Sequence, residues 1–376
     1  MSVVSAKSIH TYDPAQLKAV MAFHLEALDV FSLVRPGMKV VIKPNLLMAR
    51  RPDAAITTHP GVVRAVCELL RERGIDDITI AESSGGPHLL KYMENTYAAC
   101  GYNSLKDVAK LNTDMEFVSV KTPEGSLVPA FNIIRPIAEA DFIINIAKLK
   151  THGMTKYSAG MKNLFGCIPG LQKPEMHYRF PGADQFCRMI CELDQLVNPG
   201  LTIIDAIDCM EGNGPSGGTL RHYGAVLASR DIYALDVYAA GLMGIAADDT
   251  EMLREAQKLG LLRGAPAEIV GDELAPADPP FTLPDSKRLD FTGHMPAFLR
   301  PIAKKFMSAV LKPVPRIDHG ICVGCGKCAE SCPMHIIDIA NKKADIRDRK
   351  ACISCFCCQE MCPVRAISVK RHIRNL

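Results

Sequence analysis

At 376 residues, with 48% hydrophobic and 23% charged side chains, the chain has the make-up of an ordinary globular protein with room for more than one domain. A formal charge of +3 by itself excludes little, and no nucleic-acid partner is expected. No run reaches the roughly 18 apolar residues of a transmembrane segment, and Met1–His10 lacks a basic start followed by a long apolar core, so a reducing cytoplasm is the expected location.

Taken in order, residues 2–9 alternate as a first strand, and Leu17, Val20, Met21, Leu25 and Leu28 mark a helix over about 14–29. Met38–Ile42 reads as a buried strand that ends in Lys43-Pro44-Asn45. Thr58 or His59 can cap the next helix, with Pro60 in its first turn and Gly74 at its end. Three further apolar strands each deliver polar residues. Asp77–Ile80 leads to Glu82-Ser83-Ser84, Asp141–Ile146 to Lys148-Leu-Lys150-Thr151-His152, and Leu201–Ile204 to Asp205 and the glycine-rich Glu211–Gly218. Apolar strands alternating with helices predict an α/β fold with a mostly parallel, helix-covered sheet. Their polar clusters fall at the carboxyl edge, where such sheets build sites.

From about 264 to 316 the texture changes to proline-rich chain, with one amphipathic stretch over roughly 297–311 (Phe298, Ile302, Phe306, Val310). Beyond it come Cys322-x2-Cys325-x2-Cys328-x3-Cys332-Pro333 and Cys352-x2-Cys355-x2-Cys358-x3-Cys362-Pro363. Zinc would use four ligands, usually from two separated Cys-x2-Cys pairs, and disulfides need an oxidising compartment. The motif repeats internally, Ile337 and Ile339 matching Ile367 and Val369. This segment closely resembles two-cluster bacterial ferredoxins, a small α+β fold holding two 4Fe–4S clusters. In that family the fourth cysteine crosses to the other cluster. The implied sets are Cys322, Cys325, Cys328 with Cys362, and Cys352, Cys355, Cys358 with Cys332. Cys357 fits no ligand position and reads as a packing thiol, as do Cys187 and Cys191, four apart on a helix face.

Residues 319–376 carry ten Lys/Arg against five acids, leaving −2 for the rest. Each oxidised cluster with its thiolates brings about −2, so the module is near neutral rather than a strongly anionic free shuttle. The expected division is an α/β domain over 1–263, a linker with an amphipathic helix over 264–316, and the two-cluster domain over 317–376.

The richest chemistry outside the cysteines runs from Lys148 to Gly170. Lys148 and Lys150 point to one side of an extended chain, and a helix from about Met154 would stack Ser158 and Lys162 with Asn163 alongside. These residues predict a site for a small anionic metabolite, with His152, Glu211, Lys150 and Lys162 as catalytic candidates. Lys43, Asn45, His59, Glu82, Ser83, Lys148, Thr151 and Asn163 are the candidate binding residues. No phosphate-loop or dinucleotide glycine pattern is present.

Val40–Asn45, Ala147–His152, Lys162–Gly166 with Pro169-Gly170, Met210–Pro215 and Leu227–Asp231 with Ala234–Asp236 resemble the family named domain of unknown function 362, over about 38–245. Its members often carry a C-terminal two-cluster ferredoxin segment, but the family hands down no general reaction. The Lys162–Gly170 run is also similar to the lysine and Pro-Gly stretch of nickel-pincer lactate racemases, whose histidine pattern this chain lacks. The expectation is an iron–sulfur protein relaying electrons between an external donor or acceptor and an anion site on the α/β domain. The alternatives are a ferredoxin-like carrier whose large domain docks partners, and a non-redox isomerase or ligase with structural or regulatory clusters.

Overall fold

The structure is a computed structural model in which residues 2–262, 267–288 and 311–373 are described. The expected amphipathic stretch, Phe298 to Val310, lies outside them. Fifteen strands are defined among the described residues: β1 (Val3–Ser8), β2 (Val40–Pro44), β3 (Ile78–Ile80), β4 (Lys110–Leu111), β5 (Phe117–Lys121), β6 (Ala130–Ile134), β7 (Phe142–His152), β8 (Lys156–Ser158), β9 (Leu201–Glu211), β10 (Thr219–Ser229), β11 (Glu268–Gly271), β12 (Leu311–Ile317), β13 (Ile337–Ala340), β14 (Lys343–Ile346) and β15 (Ile367–Ile373). Nine form one sheet in the order β11–β1–β10–β9–β7–β2–β3–β4, with β8 paired to β7. The pairings of β7 with β2 and β9, β2 with β3, β3 with β4 and β1 with β11 are parallel, and β10 runs antiparallel to both neighbours.

Alternation along the strands divides the core in two. Ile144 and Ile146 of β7 join Val40 and Ile42 against the helices Pro14–Ala27 and Pro60–Arg71. Ile143, Ala147 and Leu149 face the opposite layer, built on Ala183–Val197 and Ile232–Leu242. The fold is therefore α/β with a mostly parallel, helix-covered sheet, followed by a small ferredoxin-type region of the two antiparallel pairs β12–β15 and β13–β14.

Two local expectations change. β7 and β9 are eleven residues long, so Lys148–His152 belongs to the strand rather than to its exit. No helix starts at Met154: the chain turns back into β8, and a single helical turn follows at Gly160–Asn163. Pairing with β2 stops at Pro44 opposite Ile146, so β7 runs past its neighbour and carries Lys150 and His152 over the sheet's edge. The sheet also takes β11 from beyond residue 263, so the expected domain boundary falls inside sheet-building chain.

Candidate functional site at the sheet edge

Lys43, Lys148 and Lys150 are all buried, and each is held differently. Lys43 Nζ lies 2.7 Å from Glu82 Oε2, and Lys148 Nζ lies 2.9 Å from Asp205 Oδ2 and donates to the Tyr12 hydroxyl at 2.9 Å. Removing either acid would strand a buried ammonium at a cost of about 3–5 kcal/mol. Both lysines are thus neutralised by acids distant in sequence, Glu82 from just after β3 and Asp205 from β9. Among the described residues the hydrogen-bond partners of Lys150 are neutral: its Nζ donates to Asn45 Oδ1 at 2.9 Å and to the Ile56 carbonyl at 2.7 Å. Burial, which desolvates the ammonium, pulls its pKa down to about 7, with Lys148 and Lys162 adding to that and Glu360 opposing it. Lys162, whose ammonium lies 4.3 Å from the Phe165 ring centre, is pushed down too, chiefly by burial.

An amide chain fixes the floor. Asn45 Nδ2 donates to Asn163 Oδ1 at 2.9 Å, and Asn163 Nδ2 donates to Asn145 Oδ1 at 2.8 Å. Glu82, beside this floor, accepts from the Ser83 N–H at 2.7 Å. A Cβ at position 166 would lie 2.0 Å from Glu82 Oε1, so the carboxylate rests directly on Gly166.

These groups surround a cavity of about 60 Å³, lined by Asn45, Glu82, Ser83, Lys150, His152, Lys162 and Asn163 among the predicted residues. Ser158, Phe165 and Lys173 join them on the α/β side, with Leu47, Gly85, Gly166 and Pro215. The remaining predicted residues do other things. Lys43 sits behind Glu82, while His59 caps the helix Pro60–Arg71 and stacks on Tyr12 at 3.8 Å. Lys148 is spent on Asp205, and the Thr151 hydroxyl ties β7 to the Gly212 carbonyl at 2.9 Å. Glu211 lies away from the cavity, holding Arg221 at 3.2 Å and accepting from the Thr282 N–H at 3.0 Å. The expected shared site is therefore corrected at Lys43, His59, Lys148, Thr151 and Glu211.

The opposite wall comes from the cysteine-rich region. The helical turn Cys357–Glu360 brings Glu360 to the cavity, with Oε1 3.3 Å from His152 Nε2. His152 Nδ1 accepts from the Met154 N–H at 3.1 Å, which leaves Nε2 as the protonated nitrogen facing that carboxylate. Ser216 of the glycine-rich loop donates to the Glu360 carbonyl at 2.7 Å, so this loop anchors the second cysteine run. The Phe356 ring covers Gly153, where a Cβ would lie 2.7 Å from Cδ1. Periodicity and turn rules carried no sign of Glu360 or Lys173 at this site; the interleaving of Glu360 between two cysteines hid it among cluster ligands.

Two further cavities lie within the cysteine-rich region. One is lined by Cys322, Cys325, Cys328 and Cys362, the other by Cys332, Cys352, Cys355 and Cys358, each among apolar side chains. The fourth cysteine of each run thus sits with the other run's three. Backbone N–H groups of Ala344, Ser354 and Ala366 point at Cys322, Cys352 and Cys362 sulfurs at 3.4, 3.4 and 3.2 Å. Four thiols around a mostly apolar hollow with N–H donors to sulfur are the donor set an iron–sulfur cluster takes.

Residues 314–363 match the 4Fe-4S dicluster domain, so the C-terminal region is an iron–sulfur-binding domain. A thylakoid-associated protein of Synechocystis sp. is 33% identical over 263 residues, covering 69% of this chain and 79% of that relative. Among solved structures, the lactate racemase apoprotein from Thermoanaerobacterium thermosaccharolyticum aligns with a TM-score of 0.41 and 12% identity, over 65% of this chain and 57% of that one. No helix among the described residues is long and apolar enough to cross a membrane. Residues 40–241, more than half of the chain, match the domain of unknown function DUF362, and the chain belongs to that family.

Proposed function

We propose that the protein is an iron–sulfur oxidoreductase in which two 4Fe–4S clusters exchange electrons with a small anion held at the sheet edge. The observation that carries this reading is the shared wall: the helical turn that contains the ligand Cys358 also contains Glu360, which lines the lysine cavity. When bound, the clusters supply storage and release of single electrons. Lys150 and Lys162 hold the anion's charge, and Asn45 and Asn163 orient it through a hydrogen-bonded chain. His152 presents its Nε2–H to the cavity as a proton donor. A volume of about 60 Å³, at roughly 10–15 Å³ per water-sized position, suits a substrate of a few non-hydrogen atoms, such as a small carboxylate.

Electron entry is assigned to the other cluster. Cys325 is exposed, beside exposed Ile321 and Val323, whereas Cys355 is buried. An external one-electron carrier in the cytoplasm would dock there and pass electrons inward through the second cluster. The test is anaerobic reduction of the loaded protein, followed by addition of two- to four-carbon carboxylates, about the size the cavity admits. Reoxidation that depends on one of them, and is lost in Lys162→Met, supports the reading. Reoxidation only by added electron carriers would leave a docking protein instead, and turnover without any change in the clusters a non-redox enzyme.

A further inference from the structure

Ser83 sits where three polar groups meet. Its Oγ is 2.7 Å from the Gly170 nitrogen, 3.1 Å from His88 Nδ1 and 3.3 Å from Lys173 Nζ. Lys173 Nζ also donates to the carbonyls of Ser83 at 2.9 Å and Ile168 at 2.7 Å. Ser83 and Lys173 both line the cavity, while His88 is half-buried and followed by exposed Leu89 and Leu90. Its Nε2 is buried and has no hydrogen-bond partner among the described residues.

A serine hydroxyl gives one proton and receives at two lone pairs. The Gly170 N–H takes one lone pair, so the contacts to Lys173 and His88 must be one donation and one acceptance. Two complete assignments exist. In the first, Lys173 is an ammonium donating to all three oxygens, Ser83 donates to His88 Nδ1, and the histidine proton sits on Nε2. In the second, Lys173 is a neutral amine that donates to the two carbonyls and receives the Ser83 proton on its lone pair. His88 then donates from Nδ1 to Ser83, and Nε2 is bare. The two assignments differ by one proton and require no heavy atom to move.

We propose that Lys173, Ser83 and His88 form a proton relay between the cavity and the His88 side of the molecule. This rests on the reading of the cavity as a redox site, where adding electrons to a small anion calls for protons. In the delivering direction a hydronium ion from solvent that reaches the buried His88 Nε2 gives it a proton and leaves as water, the Nδ1 proton passes to Ser83 Oγ, and the Ser83 proton passes to Lys173 Nζ at the cavity wall. One proton enters, one is delivered, and no bond between heavy atoms changes.

The charges around the relay keep both states within reach near neutral pH. Burial brings Lys173 down to about 7; Lys43 and Lys162 push the same way, while Glu82 and Cys167 oppose. Burial also lowers His88, helped by Lys173 and opposed by Asp114, so the imidazolium is disfavoured while Lys173 changes state.

The test reads the tautomer of His88 directly, by two-bond ¹⁵N–¹H correlation on histidine-labelled holoprotein with oxidised clusters, from about pH 6 to about pH 9. The expected result is an exchange of the two ring-nitrogen shifts as pH rises through about 7, from Nε2–H to Nδ1–H, without an imidazolium signature. In Lys173→Met, Ser83 has only His88 left to donate to, so His88 stays Nε2–H at every pH. One fixed tautomer in the wild-type protein, or an ordinary imidazolium titration, overturns the relay, and the wild-type series decides even if the variant fails to fold. A tautomer exchange in a protein whose clusters no carboxylate reoxidises keeps the relay and removes the oxidoreductase reading.

Discussion

In the first cysteine run, Cys325 is exposed and followed by Gly326 and Lys327; in the second, Cys355 is buried and followed by Phe356 and Cys357. Glu330 and Glu360 hold equivalent places two residues before the last cysteine, yet Glu330 is exposed while Glu360 lines the lysine cavity. The backbone is the same in both: Gly326 and Phe356 adopt φ of 80° and 69°, and Gly324 and Ser354 φ of 67° and 58°. A left-handed conformation costs glycine little and a side-chain-bearing residue about 1–2 kcal/mol. At Phe356 that cost is offset by seating the ring on Gly153. Spacing therefore sets the ligand geometry, while the residues between ligands decide what each cluster faces.

The largest expected effect tests the half of the comparison the two runs share. Loaded protein should hold about eight irons, and Cys362→Ser should lose or cripple the cluster bound by Cys322, Cys325 and Cys328, not its own run's cluster. Iron analysis with electron paramagnetic resonance of the reduced variant checks this. Loss confined to the cluster of Cys352, Cys355 and Cys358 would contradict the crossover.

The next effect tests the half in which they differ. Lys162→Met keeps its contact with the Phe165 ring but removes the charge facing the cavity. It should weaken binding of a small carboxylate by about 2–4 kcal/mol while both clusters keep their spectra. Lys342 lies beside the first run and is exposed, so Lys342→Met should change binding by less than about 1 kcal/mol. Equal effects from the two variants, measured by calorimetry, would mean that the cavity does not bind the anion.

Most of the sheet was legible because each strand carries its own apolar alternation, and His59 and Pro60 announce a helix start by local rules. The extent of β7 was not. Lys148, Lys150 and His152 look like a polar exit, and only the pairing partners β8 and β9, from later in the chain, keep them in the strand. The same limit applies to charge: nothing local pairs Lys43 with Glu82 or Lys148 with Asp205, which reach them from just after β3 and from β9. Glu360 and Lys173 were missed because nothing local marks a residue whose role comes from packing one region against another. Asn45 and Lys150 were found because strands converge at one sheet edge whatever lies between them, whereas Lys162 and Asn163 reach the same edge on the helical turn Gly160–Asn163 rather than on the expected helix from Met154.

Gly153 offers a smaller and more selective perturbation. In Gly153→Ala the new Cβ would meet the Phe356 ring at 2.7 Å and displace it, costing about 1–3 kcal/mol and speeding amide exchange along Cys357–Glu360. Gly326→Ala meets nothing within 4 Å but must hold φ of 80°, so it should cost about 1–2 kcal/mol without loosening that helical turn. Unchanged exchange at Cys357–Glu360 in Gly153→Ala would show that Phe356 does not seat the second run.

The smallest effect is one of pH, and its sign follows from Lys150. Burial has lowered this lysine from an ordinary value of 10.5 to about 7, so its unliganded side chain loses its proton through neutrality. An anion binds the ammonium form and raises its pKa again. Below about pH 7 the ammonium is already present and affinity should be flat; above it each bound anion must take up a proton. Affinity then falls by up to tenfold per pH unit, about 1.4 kcal/mol. The stability of the unliganded protein should run the other way. Between about 7 and 10.5 the unfolded chain holds the Lys150 proton that the folded chain has released, so stability from this group rises with pH across that window. Calorimetry of a carboxylate in two buffers of different ionisation enthalpy measures the proton uptake. Lys173, also brought down to about 7, contributes in the same range, so Lys150→Met should remove part of the alkaline fall and part of the uptake. Affinity that stays level to about pH 9 without proton uptake would mean that neither lysine meets the anion as an ammonium.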